Sequence, residues 1–107
     1  MSYDIYLNGP DGVVEVPNHS EGGTYALGGI PEARLNVTYN YRPFFDYRWL
    51  DGKEAADTIE YLTIAVDTLG VERDEDYWKP TEGNAGYACS ILLRWALAYP
   101  DATWEVN

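Results

Sequence analysis

Leu35-Asn36-Val37-Thr38-Tyr39-Asn40-Tyr41-Arg42 is the stretch whose reading decides the fold of this chain. Side chains of a strand alternate between two faces. Read that way, Leu35, Val37, Tyr39 and Tyr41 point toward a core, and Asn36, Thr38, Asn40 and Arg42 point away from it. A long central strand is therefore expected over residues 34–41, and Arg42-Pro43 limits its length because proline removes a ladder donor. The polar face is a row of neutral hydrogen-bonding groups ending in one cation. Such a row suits holding a polar ligand better than carrying out chemistry.

The elements on either side fit one small sheet. Tyr3 to Asn8 alternates as a strand, Gly9-Pro10-Asp11-Gly12 is a strong turn signal, and Val13 to Val16 follows, so residues 3–16 read as a β-hairpin. Pro17 stops the second strand, Asn18 to Gly23 reads as a loop, and Thr24 to Leu27 as a short strand closed by Gly28-Gly29. Phe44 to Leu50 is ambiguous and fits an aromatic turn of helix. Asp51 with Glu54 resembles a capping box for a first helix, whose apolar face is Ala55, Ile59, Leu62, Val66 and Leu69, and Gly70 is its stop. Thr81 is the expected cap of a second helix from Glu82 to Ala98, with Ala85, Ala88, Cys89, Leu92, Trp95, Ala96 and Tyr99 facing inward and Pro100 ending it. Thr103 to Val106 reads as a last short strand. Strands first and helices later predict an α+β domain over 1–107, a mainly antiparallel sheet with two α-helices packed on one face.

Charge narrows the function classes. Eighteen acids against seven bases give a net charge of −11, which argues against direct binding of nucleic acid or an anionic membrane. Arg34, Arg42, Arg48 and Lys53 outnumber Asp46 and Asp51 in residues 34–53, so the only net-basic zone overlaps the polar stripe. The acids of 54–76 supply the opposite surface, either a solubilising one or a mimic of DNA. No apolar run approaches the ~20 residues of a membrane span. A polar N-terminus and a single cysteine point to the cytoplasm. High Tyr and Trp content with strands near both termini predicts a homodimer.

Catalytic sets are missing. His19 is the only histidine, and the adjacent Ser20 diverges from it on an extended chain. One His and one Cys make no zinc site. Asp74-Glu75-Asp76 fails the EF-hand pattern, because Trp78 and Lys79 occupy the places of an oxygen ligand and the glycine. Cys89 among Ala88, Ile91 and Leu92 reads as a buried, inert thiol. No catalytic residue, metal or cofactor is expected.

A binding constellation remains. Asn36, Thr38, Asn40 and Arg42 form the stripe, His19, Thr24 and Tyr25 lie in or just after the Gly-rich loop, Tyr77 and Trp78 offer stacking surfaces, and Asn84 lies at a helix N-terminus suited to an anion. The set suits a nucleotide-like ligand, with its base on an aromatic ring, its sugar on amides and hydroxyls, and its phosphate at the helix start or on Arg42.

At Gly22-Gly23-Thr24-Tyr25, at Leu35 to Tyr41, and at Asp76-Tyr77-Trp78-Lys79-Pro80-Thr81-Glu82-Gly83-Asn84-Ala85, the chain resembles a family of small acidic proteins encoded by tailed phages and prophages. The resemblance spans nearly the whole length and brings no catalytic role with it. It implies a phage accessory protein in the bacterial host's cytoplasm, of the kind that counters host defence by sequestering a nucleotide signal or binding an immune effector. Two expectations follow: a non-catalytic module for a small nucleotide-like ligand, or an acidic protein-binding inhibitor or DNA mimic that blocks a host defence protein.

Overall fold

The hairpin that opens the chain becomes the hub of the sheet. Strand β1 (Ser2–Gly9) turns through Pro10-Asp11 into the two-residue β2 (Gly12–Val13), with Asn8 opposite Val13 and Gly9 opposite Gly12. Gly12 has φ 111°, a backbone state that side chains disfavour. β1 also pairs antiparallel with β3 (Arg34–Thr38), from Ser2 opposite Thr38 to Tyr6 opposite Arg34. Its third partner is β4 (Thr103–Val106), from Ile5 opposite Val106 to Asn8 opposite Thr103. The computed structural model describes residues 1–16 and 32–107. The expected stop at Pro17, loop 18–23, strand 24–27 and Gly28-Gly29 closure, with His19, Thr24 and Tyr25, lie outside the described residues.

Register explains the core. Tyr3, Ile5 and Leu7 are buried on β1 and stand opposite Val37, Leu35, Val106 and Trp104, all of them buried too. Two helices complete the hydrophobic cluster: α1 (Ile59–Leu69) with Leu62 and Ala65, and α2 (Glu82–Ala98) with Ala85, Ala88, Cys89, Ile91, Leu92, Trp95 and Ala96. The result is an α+β fold, a four-stranded antiparallel sheet with two helices packed together. Thr81 caps α2 by accepting from the Asn84 backbone N–H at 3.1 Å, and α1 stops at Gly70 with φ 76°. Among the described residues, no helix is long and apolar enough to cross a membrane.

Two glycines of α2 let the chain leaving α1 run against it. A Cβ on Gly86 would lie 1.8 Å from the Gly70 carbonyl oxygen, and one on Gly83 would lie 1.9 Å from that of Glu72. No side chain fits at either distance.

Three expectations are corrected. The central strand ends at Thr38, and Tyr39–Tyr41 form a 3₁₀ turn. The Thr38 hydroxyl accepts from the Asn40 backbone N–H at 3.2 Å, the local competition by which Thr ends a ladder. Asp51 does not cap the first helix: it accepts from the Val106 N–H at 2.8 Å, while Glu54 makes an isolated bridge to Thr103. A 3₁₀ turn over Ala55–Thr58 leads into α1 instead, with Thr58 buried and bonded by the Trp104 indole N–H at 2.9 Å. Tyr99 caps α2 at the surface, and its hydroxyl donates to the Glu15 carbonyl. The ambiguous stretch 44–50 resolves into a 3₁₀ turn at Tyr47–Leu50.

Candidate ligand site

The stripe splits where the strand ends. Asn36 stays on the outer face of β3, and both its amide hydrogens are spent, on Ser2 Oγ at 2.8 Å and Asp4 Oδ1 at 3.0 Å. Thr38 is buried, and its side chain serves the turn. Asn40 and Arg42 have been rotated off the strand face by the 3₁₀ turn and are exposed. The four groups do not form one row.

Much of the constellation instead latches the connector 71–80 to the rest of the fold. The Tyr77 hydroxyl accepts from the Thr38 backbone N–H at 3.0 Å and donates to the Asn36 carbonyl at 3.2 Å. The Tyr41 hydroxyl donates to the Tyr77 carbonyl, and their rings meet edge-on at 5.7 Å. Asn84 is fully buried. Its carbonyl oxygen accepts from the Asp74 N–H at 2.9 Å, and its amide donates to the carbonyls of Asp76 at 3.1 Å and Lys79 at 2.9 Å. Buried polar groups must be paired, and here the pairs are backbone groups of a segment without regular structure. Residues 35–41 and 76–85 are thus two halves of one contact.

Four side chains stay accessible beside the latch. Trp78 is 52% exposed, with its ring edge-on to Tyr77 at 5.0 Å. Asn40 donates to the Trp78 carbonyl at 2.7 Å, which holds the 3₁₀ turn against the tryptophan's backbone. Arg42 lies over the Tyr39 ring at 3.8 Å and donates from Nε to the Tyr3 hydroxyl at 3.1 Å. That bond raises the guanidinium's pKa further, so the group is always charged. Arg48 stands 5.4 Å from the centre of the Tyr3 ring and donates to the Val106 carbonyl at 3.0 Å. Sequence reasoning missed Arg48 and Tyr3. The basic zone 34–53 contained a signal for the first, whereas the second is brought there only by strand pairing.

The start of α2 is a poor anion site. A cleft of about 460 Å³ opens there, but Glu72, Asp74 and Glu82 line it beside Arg73, and Thr81 already serves the helix end. Lys79 pairs with Asp74 at 3.6 Å. Cys89 is buried, and burial pushes its thiol up to about 12, so it is protonated and unreactive at neutral pH. Among the described residues no group of three or more His, Cys, Asp or Glu side chains is placed to hold a metal ion. Comparison with protein-family models, with curated proteins and with solved structures finds no match for this chain.

Proposed function

We propose that this protein is a phage accessory module that binds a small polar, nucleotide-like ligand without turning it over, in the cytoplasm of the bacterial host, as a countermeasure to host defence. The observation that carries this reading is the juxtaposition of a half-exposed indole, Trp78, an exposed amide, Asn40, and a ring-mounted guanidinium, Arg42, at one edge of a rigid latch. Stacking on an aromatic face contributes about 1–3 kcal/mol per base and needs no particular base. A guanidinium already ordered by an aromatic ring and a hydroxyl loses little freedom when it meets a phosphate. Rigid support of this kind favours binding, because little ordering is left to be done when a ligand arrives. Isothermal titration against nucleotides and cyclic nucleotides tests the proposal. Binding that weakens in Trp78→Ala and Arg42→Gln supports it, and a panel without any binder removes it.

A second reading has its own observation. Glu72, Glu75, Asp76 and Glu82 are exposed around a connector that Asn84 holds in one shape, so negative charge is presented on a preorganised surface. An acidic inhibitor or DNA mimic that grips a basic host effector would use that face. It predicts capture that fades as salt rises from 50 to 500 mM, which are roughly the limits over which screening becomes strong. Capture that survives charge reversal at Glu72, Glu75 and Asp76 ends this reading.

A further inference from the structure

We infer that Arg42 and Arg48 together form an oxyanion subsite, built on Tyr3, that takes the phosphate of the ligand; this rests on the nucleotide-like reading above and moves its anionic end away from α2. Both guanidinium carbons lie within 6 Å of the same ring centre, Arg42 at 5.9 Å and Arg48 at 5.4 Å. Each has one nitrogen fixed. Arg42 uses Nε on the Tyr3 hydroxyl, and Arg48 uses one terminal nitrogen on the Val106 carbonyl. Arg42 leans on Tyr39 as well as Tyr3, and neither it nor Arg48, whose other terminal nitrogen and Nε are unused by any described residue, spends its donors on an anion. Neither arginine has a described carboxylate within ion-pair distance.

Arg34 and Lys53 have no described carboxylate at that distance either, but they lie over separate rings, Tyr6 and Trp49, whereas Arg42 and Arg48 share Tyr3. Asp46 and Asp51 lie in the same stretch, but Asp51 faces the Val106 N–H. The side chain of Asp46, which precedes the 3₁₀ turn carrying Arg48, caps nothing. Tyr3 is buried, 4% exposed, and its neighbours Tyr39 and Tyr47 hold the ring at 4.6 and 5.8 Å. The platform under the two cations is therefore core and not loop. Two guanidiniums held by neutral partners, with no described carboxylate beside them, are the donor set that a phosphate accepts from.

The test uses the full chain and three probes: inorganic phosphate, adenosine 5′-monophosphate and adenosine. Phosphate is titrated while the arginine Nε–H signals are followed by NMR, and the monophosphate and adenosine are titrated calorimetrically into wild type, Arg48→Gln and Arg48→Lys. Saturable shifts of both the Arg42 and Arg48 signals are expected. The monophosphate should bind about tenfold more tightly than adenosine, an advantage that Arg48→Gln removes while leaving adenosine affinity unchanged. Arg48→Lys, which keeps the charge, should retain part of it. Phosphate that moves neither signal overturns the subsite, as does a monophosphate preference that survives Arg48→Gln. If phosphate shifts both signals but neither the monophosphate nor adenosine binds, the subsite stands and the nucleotide-like reading falls.

Discussion

Asn84 and Asn40 carry the same side chain, and both donate an amide hydrogen to a carbonyl of the 76–79 segment. One is fully buried with its carbonyl oxygen also occupied, and the other is exposed. The latch around Asn84 and Tyr77 and the ledge of Asn40, Arg42, Arg48 and Trp78 are thus made from similar chemistry in adjoining parts of the chain. The difference is desolvation. A polar group that has lost its water must keep its protein partners or destabilise the fold. A polar group still in water can exchange that water for a ligand at little cost. The latch should therefore respond to substitution in stability, and the ledge in binding.

The largest break of this contrast is Asn84→Ala. It leaves the Asp74 N–H and the Asp76 and Lys79 carbonyls without their partner and opens a small void. About 3 kcal/mol of stability should be lost, read as a lowered midpoint in urea denaturation. Cys89 provides an independent reading of the same quantity. Its protonated, buried thiol reacts with iodoacetamide only from opened molecules, so labelling should accelerate about a hundredfold, each 1.4 kcal/mol being a factor of ten. Asn40→Ala should cost under about 1 kcal/mol. Equal losses for the two asparagines would dissolve the distinction between latch and ledge.

Gly86→Ala is next. In a helix interior that change ordinarily gains up to about 1 kcal/mol in propensity. Here the new methyl meets a backbone oxygen at 1.8 Å, which cannot swing aside as a side-chain tip could. Overpacking should win and give a net loss of about 2 kcal/mol. A net gain measured by thermal or urea unfolding would falsify the close approach between the Gly70 carbonyl and α2.

Much of this fold was legible in the sequence because its signals were local. Period two located β1 and β4, Gly9 to Gly12 located the hairpin turn, and Thr81 located the start of α2. The stripe was misread because its pattern fits two structures. Leu35, Val37, Tyr39 and Tyr41 can face a core from a strand throughout, or from a strand that ends in a 3₁₀ turn. The second is realised, with Tyr41 buried and Asn40 rotated out. What decided between them was the bond from the Asn40 N–H to Thr38 and the docking of Tyr77, a partner 39 residues from Thr38. Asp51 and Glu54 had the spacing of a capping box, but pairing with β4 claimed them first. The candidate site was legible as residue types and not as roles. Trp78 and Arg42 are on the ledge, whereas Tyr77 and Asn84, chosen for a ligand, hold the chain to itself.

Tyr77→Phe sharpens the comparison from the latch side. The ring stays to pack against Tyr41 and Trp78, and only the hydroxyl between the Thr38 N–H and the Asn36 carbonyl is removed. Leaving a half-buried backbone donor unpaired should cost roughly 1–2 kcal/mol in urea unfolding. Because the ring that supports Trp78 remains, ligand affinity should change little, so stability and binding should separate within one side chain.

The smallest effect on stability is expected on the ledge itself. Trp78→Ala removes a half-exposed ring whose described ring contact is one edge-on meeting with Tyr77, and Arg42→Gln removes one cation from two tyrosine faces. An edge-on ring contact of the Trp78 kind contributes about 0.5–1 kcal/mol, and a fully exposed cation over a ring adds little to stability. Each change should therefore leave the denaturation midpoint close to wild type. The same two substitutions should give the greatest loss of ligand affinity, since they remove the stacking face and one half of the charge. If either unfolds the protein as readily as Asn84→Ala does, its side chain belongs to the latch, and the accessible surface beside it would be a by-product of folding. A midpoint that stays put while binding disappears identifies a residue whose exposure serves the ligand alone.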